Sequence, residues 1–227
     1  MLSASVSKFI IKTIAPSMRS PSGLTGWIAR QLMRTANPIS TKFAIDRMDL
    51  EKTDVFVELG AGEGAGIKAI MDGNKDSIPS RIVLVEISDD FRTELMRVVQ
   101  EDISATPSDN TEIEIHSDDC KNMPFLKDDS VDKIFGMNVV YFLDPLAVYL
   151  KELHRVLKPG GTIVWGCKFK AVPKDSDVFI NVEEEAISTL MKEAGFKVSS
   201  EFVKVSSEEK MQNYLELKGV KVGISKL

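Results

Sequence analysis

The stretch VFVELGAGEGAG, residues 55–66, restricts the folds open to this chain more than any other part of its sequence. A strand pattern, VFVEL, runs directly into a loop with glycine at every second position, at Gly60, Gly62, Gly64 and Gly66. Glycine permits tight turning and lets a ligand approach bare backbone. We therefore predict a strand, a loop and a helix that together form a binding edge. A tight turn that binds no ligand is the simpler alternative.

The elements that follow predict a mostly parallel sheet. Strand patterns at VFVEL, IVLVE, TEIEIH, VDKIFGMN and TIVWG are interspersed with amphipathic helical patterns, and a KPGG turn at 158–161 precedes TIVWG. Such alternation is typical of an α/β fold with helices on both faces and ligands at the carboxyl ends of the strands. The last two strand patterns, near residues 197–204 and 212–219, have no helix between them, so we predict antiparallel neighbours.

Capping signals predict where several helices begin. A helical pattern covers residues 24–35, and Asn37 followed by Pro38 is typical of an N-cap and the first turn of a further helix. Asn181 is predicted to cap a later helix, with Glu184 three residues on in a capping-box arrangement.

Length and composition favour one soluble domain with a small appendage. The chain has 227 residues, 43% of them hydrophobic, and no apolar run long enough to span a membrane. Cys120 and Cys167 lie far apart and belong to no CxxC pair, so neither a disulfide scaffold nor a zinc site is predicted, and no metal is expected. A reducing compartment, the cytoplasm, is the predicted location.

Charge divides the chain unevenly. The first 45 residues carry six basic side chains and no acid, a charge of +6, so the remainder carries −11 of the total of −5. The basic start MLSASVSKFIIKTIAPSMRS fits a mitochondrial transit peptide or an amphipathic helix that buries Phe9, Ile10 and Ile14 and touches a membrane surface peripherally. The acidic body argues against a large nucleic-acid surface.

The glycine loop alone leaves the ligand open. GAGEGA satisfies the dinucleotide pattern G-x-G-x-x-A, and Glu86, at the end of the second strand pattern, could hold a ribose in a nicotinamide enzyme or in another adenosyl-binding protein. The segments further along the chain separate these alternatives.

Five segments occur in an order that resembles a known family: VELGAGEG, LVEIS, SDDCKNMPFLKDDSVD, GMNVVYFLDP and LKELHRVLKPGG. In this order the chain resembles the class I S-adenosylmethionine-dependent methyltransferases, and within them the branch related to ubiquinone and menaquinone biosynthesis, with its methyltransferase type 11 domain. The resemblance implies a Rossmann-like fold with a seven-stranded, mostly parallel sheet, an antiparallel last strand and N-terminal helices. An NAD(P)-dependent oxidoreductase becomes the weaker alternative.

The same resemblance implies a division of the chain and a set of cofactor-binding residues. Residues 1–50 would form an N-terminal helical lid, with Trp27, Arg30, Asn37 and Ser40 over the site, and residues 51–227 the methyltransferase domain. Glu58 would hold the ammonium of S-adenosylmethionine, Glu86 the ribose hydroxyls and Asp119, or its neighbour Asp118, the adenine amine. The remaining members of the implied set are Gly60, Ala61, Gly62, Gly64, Ile87, Cys120 and Asn138.

Methyl transfer asks for positioning more than for acid–base chemistry. Aligning the nucleophile, the methyl group and the sulfur in a site without water contributes about 7–11 kcal/mol. Where a base is needed, Tyr141 and Asp144 are the candidates, and Tyr141 could instead face the sulfonium or wall the pocket with Phe142.

We therefore expect a monomeric or homodimeric methyltransferase that acts on a small-molecule or lipid-like acceptor. A protein or RNA methyltransferase and a non-catalytic S-adenosylmethionine-binding relative are the alternatives.

Overall fold

One mixed sheet organises the chain in a computed structural model that describes residues 15–18, 23–103, 111–206 and 211–223. Its strands are β1 (Val55–Leu59), β2 (Arg81–Val85), β3 (Glu112–His116), β4 (Val131–Met137), β5 (Leu157–Cys167), β6 (Phe196–Ser206) and β7 (Met211–Lys221). Across the described residues they lie in the order β3-β2-β1-β4-β5-β7-β6. Strands β1 to β5 pair in parallel, and β7 runs antiparallel between β5 and β6. The predicted α/β fold with an antiparallel last strand is confirmed.

Helices cover both faces of this sheet. They are α1 (Gly23–Ala36), α2 (Pro38–Asp46), α3 (Ala65–Met71), α4 (Asp89–Arg97, continued by a π-helical segment Val98–Ile103), α5 (Leu146–Val156) and α6 (Glu184–Glu193). Short 3₁₀ turns occur at Lys75–Ser77, Val140–Phe142 and Phe169–Ala171.

Alternation along the strands divides the core in two. Phe56 of β1 packs with α2, α3 and α4, whereas the adjacent Val57 packs with α5 and α6. This follows because successive side chains of a strand point to opposite faces. The helices α2 and α3 consequently lie side by side on one face, next to the loop that leaves β1.

Two of the glycines after β1 have identifiable structural roles. Gly64 is the N-cap of α3 and has a φ of 87°, a conformation that residues with a Cβ rarely adopt. Gly66, in the first turn of α3, faces the carboxylate of Glu58, and a Cβ there would lie 2.1 Å from Glu58 Oε1. A side chain at residue 66 would therefore displace Glu58.

The predicted KPGG turn before the fifth strand is wrong. Leu157 pairs with Val131 and Thr162 pairs with Lys133, so four residues of β5, 158–161, stand against one residue of β4. The segment is a bulge-like irregularity inside β5, where the register with β4 shifts. A bulge of this kind satisfies the same glycine-rich composition as a turn, which is why the sequence alone does not distinguish them.

Neither asparagine acts as a side-chain cap. Helix α2 does begin at Pro38, but the side chain of Asn37 makes no cap hydrogen bond. Helix α6 begins at Glu184 after Glu183, and the predicted capping box at Asn181 is wrong. The Nδ2 group of Asn181 donates instead to two carbonyl oxygens of the loop after β4, each at 2.8 Å. Distant partners have replaced the local ones in both cases.

Two predictions concern contact with a membrane: the basic N-terminal helix and the absence of a membrane-spanning segment. The amphipathic helix with Phe9, Ile10 and Ile14 lies outside the described residues. Among the helices that the structure does describe, none has the length and apolar character needed to cross a membrane.

Candidate functional site

A cavity of about 660 Å³ opens at the carboxyl ends of β1, β2 and β4, beneath α1 and α2. Its size is typical of small-molecule sites. The predicted cofactor-binding residues that line it are Glu58, Gly60, Ala61, Gly62, Glu86, Ile87, Asp119, Cys120 and Asn138. Four predicted site residues are not part of its lining: Gly64, Asp118, Tyr141 and Asp144.

Glu58, the last acidic residue before the glycine loop, is a buried carboxylate without a full set of partners. Its side chain is 4% exposed, and Oε2 has no hydrogen-bond partner. Burial raises the pKa of Glu58 to about 8, and the negative charge of Glu86 adds to the rise. Because a buried carboxylate is costly without a donor, this position favours a ligand that brings a cation or hydrogen-bond donors.

Glu86, directly after β2, is held against the glycine loop. Its Oε2 accepts from the backbone N–H of Gly62 at 2.9 Å, and its Oε1 accepts from that of Ser88 at 2.8 Å. Burial raises the pKa of Glu86, and these two N–H donors oppose the rise. Each oxygen keeps further lone-pair capacity toward the cavity. Glu86 is 5% exposed, so its carboxylate is buried and does not lie on the surface.

The structure separates Asp119 from Asp118. Asp119 lines the cavity, and its carboxylate accepts from the backbone N–H of Lys121 at 3.2 Å and from the hydroxyl of Tyr149 at 3.2 Å. It thus caps the turn that follows it while facing the cavity. Asp118 is exposed. Next in the chain, burial raises the pKa of the Cys120 thiol to about 12, so this thiol stays protonated near neutral pH.

Asn138 joins three parts of the site. It follows β4 in a left-handed conformation, with a φ of 57°, which asparagine tolerates better than most residues. Its Nδ2 donates to Asn37 Oδ1 of the lid at 3.1 Å. Its Oδ1 accepts from the Tyr141 hydroxyl and from the backbone N–H of Lys168, both at 3.2 Å.

The two predicted bases lie away from the cavity lining. Tyr141 is 2% exposed and packs among Phe142, Phe169 and Phe179. Burial raises the pKa of its hydroxyl well above the usual value, so the hydroxyl stays protonated near neutral pH and is not available as a base. Asp144 is exposed at the surface. Phe142 alone of this aromatic group lines the cavity.

Sequence reasoning missed Glu63, the single acid inside the glycine loop. Its carboxylate accepts from Nε of Arg30 at 2.6 Å and from the guanidinium of Arg34, and all three residues line the cavity. These ion pairs tie α1 to the loop. Of the predicted lid residues, Arg30 and Asn37 line the cavity, whereas Trp27 is 60% exposed and Ser40 is buried in the protein.

Sequence reasoning also missed Thr41 of α2. It lines the cavity and is 1% exposed, but its Oγ1 has no hydrogen-bond partner. No motif marks this residue.

The site offers no cluster of metal ligands in the part of the chain that the structure describes. Cys120 and Cys167 are both buried free thiols.

Comparison with known protein families identifies a domain in the part of the chain that contains most of this cavity's lining. Residues 57–165, just under half of the 227 residues, match the family model described as a methyltransferase domain. No curated protein sequence matches the chain. The matched residues include the end of β1, the glycine loop, β2, β3, β4 and most of β5.

Three solved structures illustrate the shared fold. A proposed S-adenosylmethionine-dependent methyltransferase from Methanococcus maripaludis has a TM-score of 0.61 at 20% identity over 87% of this chain and 92% of that one. Phosphoethanolamine N-methyltransferase 2 of Haemonchus contortus, in complex with S-adenosylmethionine, has a TM-score of 0.61 at 12% identity over 81% of this chain and 53% of that one. The [4+2]-cyclase SpnF has a TM-score of 0.62 at 16% identity over 95% of both chains.

Because the cyclase has the same fold as the methyltransferases, the fold alone does not identify the reaction that a chain catalyses. None of these likenesses singles out the ubiquinone-related branch. Residues 57–165 thus match a methyltransferase domain, inside a fold that the chain shares with S-adenosylmethionine-dependent methyltransferases.

Proposed function

We propose that the chain binds S-adenosylmethionine in this cavity and transfers its methyl group to a small-molecule or lipid-like acceptor. The observation that carries the proposal is the buried, incompletely partnered carboxylate of Glu58 beside the bare backbone of the glycine loop. The ammonium of the cofactor's methionine moiety would supply the missing donor. Glu86 would accept from the ribose hydroxyls, and Asp119 from the adenine amine.

The carboxylate of Glu58 argues against a nicotinamide dinucleotide. A dinucleotide would place its anionic pyrophosphate at the glycine loop. Glu58 lies buried at that loop, and its ionised form would repel the pyrophosphate where water is excluded. A ligand that is cationic at this end fits the site better.

The N-terminal helices are proposed to act as a lid. Helix α1 is linked to the glycine loop by the Arg30–Glu63 and Arg34–Glu63 ion pairs, and the start of α2 is linked to β4 by the Asn37–Asn138 hydrogen bond. A closed lid would exclude water from the reacting atoms. Deleting residues 1–45 should weaken both cofactor binding and turnover; if both stayed intact, the lid would have no role.

The chemistry proposed for these residues is positioning. Bound S-adenosylmethionine supplies an activated methyl group on a sulfonium, a good leaving group, while the chain's residues orient it and keep water out. Tyr141 and Asp144 do not line the cavity, so neither is placed to remove a proton from an acceptor there. The apolar side chains of Met18, Met33, Val139, Phe142 and Leu143 line the same cavity and favour an acceptor with an apolar part.

An RNA acceptor finds less support. The basic N-terminal segment is its main argument, but the described basic residues of that segment are engaged by acids. Arg30 and Arg34 pair with Glu63, and Lys42 pairs with Asp46 at 2.9 Å. A steep salt dependence of RNA binding would revive this alternative.

Calorimetry tests the proposal directly. The purified chain should bind S-adenosylmethionine and its demethylated product but not NAD. Asp119→Asn should weaken binding of both adenosyl compounds, whereas Asp118→Asn, the neighbouring exposed residue, serves as the matched control and should not. Binding of NAD alone would refute the proposal. Mass spectrometry of molecules that copurify with the protein would then identify the acceptor.

A further inference from the structure

Two residues that line the same cavity each have a buried side-chain atom without a hydrogen-bond partner. Within the described residues, three such atoms occur: Thr41 Oγ1, Glu58 Oε2 and Trp165 Nε1. Thr41 and Glu58 both line the cavity, and Trp165 does not. An unpaired buried polar atom is unfavourable, and two in one cavity indicate a ligand or ordered water that supplies the missing partners.

The Thr41 hydroxyl lacks even its ordinary local partner. A threonine inside a helix commonly donates to the carbonyl three or four residues earlier. Thr41 makes no such bond, although its side chain is 1% exposed. The hydroxyl of this cavity-lining residue therefore keeps its donor capacity unused.

Thr41 and the Glu58 carboxylate both lie in parts of the fold that adjoin α3. Thr41 lies on α2, which packs against α3. The Glu58 carboxylate lies against the first turn of α3, at Gly66. One atom can donate and the other can accept. An α-amino acid head group presents the reverse pair, a carboxylate that accepts and an ammonium that donates.

We propose that the Thr41 hydroxyl binds the α-carboxylate of the cofactor's methionine moiety while Glu58 binds its ammonium. The inference rests on the proposed function, since it assigns a residue to one group of that cofactor. It makes Thr41 a binding residue that selects the zwitterionic amino-acid end. Thr41 has no direct part in moving the methyl group.

Decarboxylated S-adenosylmethionine provides a test, because it retains the sulfonium, the ammonium and the adenosyl group and lacks only the carboxylate. Calorimetry should compare both ligands on the natural chain, on Thr41→Val and on Thr41→Ser. Loss of a hydrogen bond to a charged group should lower the affinity of Thr41→Val for S-adenosylmethionine about tenfold or more. Its affinity for the decarboxylated ligand should stay within about twofold of the natural chain's. Thr41→Ser, which keeps the hydroxyl, should bind both ligands nearly as the natural chain does.

Three outcomes would overturn the assignment. Equal losses for both ligands in Thr41→Val would mean that Thr41 bridges to Glu58 through water or shapes the cavity. No loss for either ligand would mean that the hydroxyl has no role in binding. A carboxylate-selective loss in Arg30→Ala, but not in Thr41→Val, would assign the carboxylate to the guanidinium of Arg30, which lines the same cavity.

Failure of the underlying function looks different, because the natural chain would then bind neither ligand. Misfolding is also separable from a binding defect. Removing an unpaired buried hydroxyl should leave the melting temperature of unliganded Thr41→Val unchanged or raised. If Thr41→Val melts at a lower temperature than the natural chain, Thr41→Ala takes its place in the comparison of the two ligands.

Discussion

Binding of S-adenosylmethionine near pH 7 should release close to one proton, and that proton should come from Glu58. Burial, reinforced by Glu86, raises the pKa of Glu58 to about 8 in the unliganded chain. A group with this pKa is about 90% protonated near pH 7. An ammonium within hydrogen-bond reach stabilises the ionised carboxylate, so binding would drive the proton off.

The sign of the pH dependence follows from the direction of the shift. Since the folded-state pKa lies above the ordinary value of 4.5, the folded chain binds a proton that the unfolded chain has lost between about pH 4.5 and 8. The unfolding free energy of the unliganded chain should therefore fall as the pH rises through this window. A rise from 4.5 to about 8 corresponds to at most about 5 kcal/mol, and Glu58→Gln should remove this dependence.

Affinity for S-adenosylmethionine should change in the opposite direction. Below the ordinary α-amino pKa of about 7.7–8.0, the ligand keeps its ammonium, and affinity should rise by up to about tenfold per pH unit as Glu58 ionises more easily. The proton count is measured by calorimetry in two buffers that differ in ionisation enthalpy. Glu58→Gln is the protein control, and methylthioadenosine, which lacks the amino-acid end, is the ligand control. Proton release near zero in the natural chain, or equal release in Glu58→Gln, would refute the reasoning.

Three further outcomes are expected. Gly66→Ala should weaken S-adenosylmethionine binding about as much as Glu58→Ala, because its Cβ would displace the carboxylate. Gly223→Ala, whose Cβ would meet its nearest atom at an ordinary 3.6 Å, is the control, and unchanged affinity in Gly66→Ala would contradict the contact. Thr41→Val should stabilise the unliganded chain by about 1–3 kcal/mol in urea unfolding, since an unpaired hydroxyl is removed; a loss of stability would show a hidden partner. Glu86→Ala should weaken methylthioadenosine binding by about 1–3 kcal/mol in calorimetry, and unchanged affinity would rule out the ribose role.

The frame of the fold was predictable because its signals are local. Strand and helix periodicities act over a few neighbouring residues, and they were enough to predict β1, the glycine loop and the parallel order that follows. The short connection between β6 and β7 left no room for a parallel crossover, and the structure confirms an antiparallel pair. Local composition did not distinguish a turn from a bulge at residues 158–161, because both conformations accept the same glycines.

The candidate site was predictable only where a residue type at a strand end implied a role. Glu58 lies near the end of β1, and Glu86 and Asp119 come after β2 and β3. Parallel strands bring their carboxyl ends to one edge, so the three residues line one cavity. Their contacts with particular ligand groups remain predictions. Thr41 and Glu63 carried no sequence signal. Glu63 matters because Arg30 and Arg34 of α1 lie beside it, and Thr41 because no partner lies beside its hydroxyl.

The sequence by itself determined the order of strands and helices and the position of the glycine loop at the edge of the sheet. The tertiary structure decided which side chains meet there. Asn37 bonds to Asn138, 101 residues away, and Glu63 pairs with Arg30, 33 residues away. The physical reason is that a buried polar group takes whichever partner the packing of distant segments brings within about 3 Å, and a local pattern does not encode that choice.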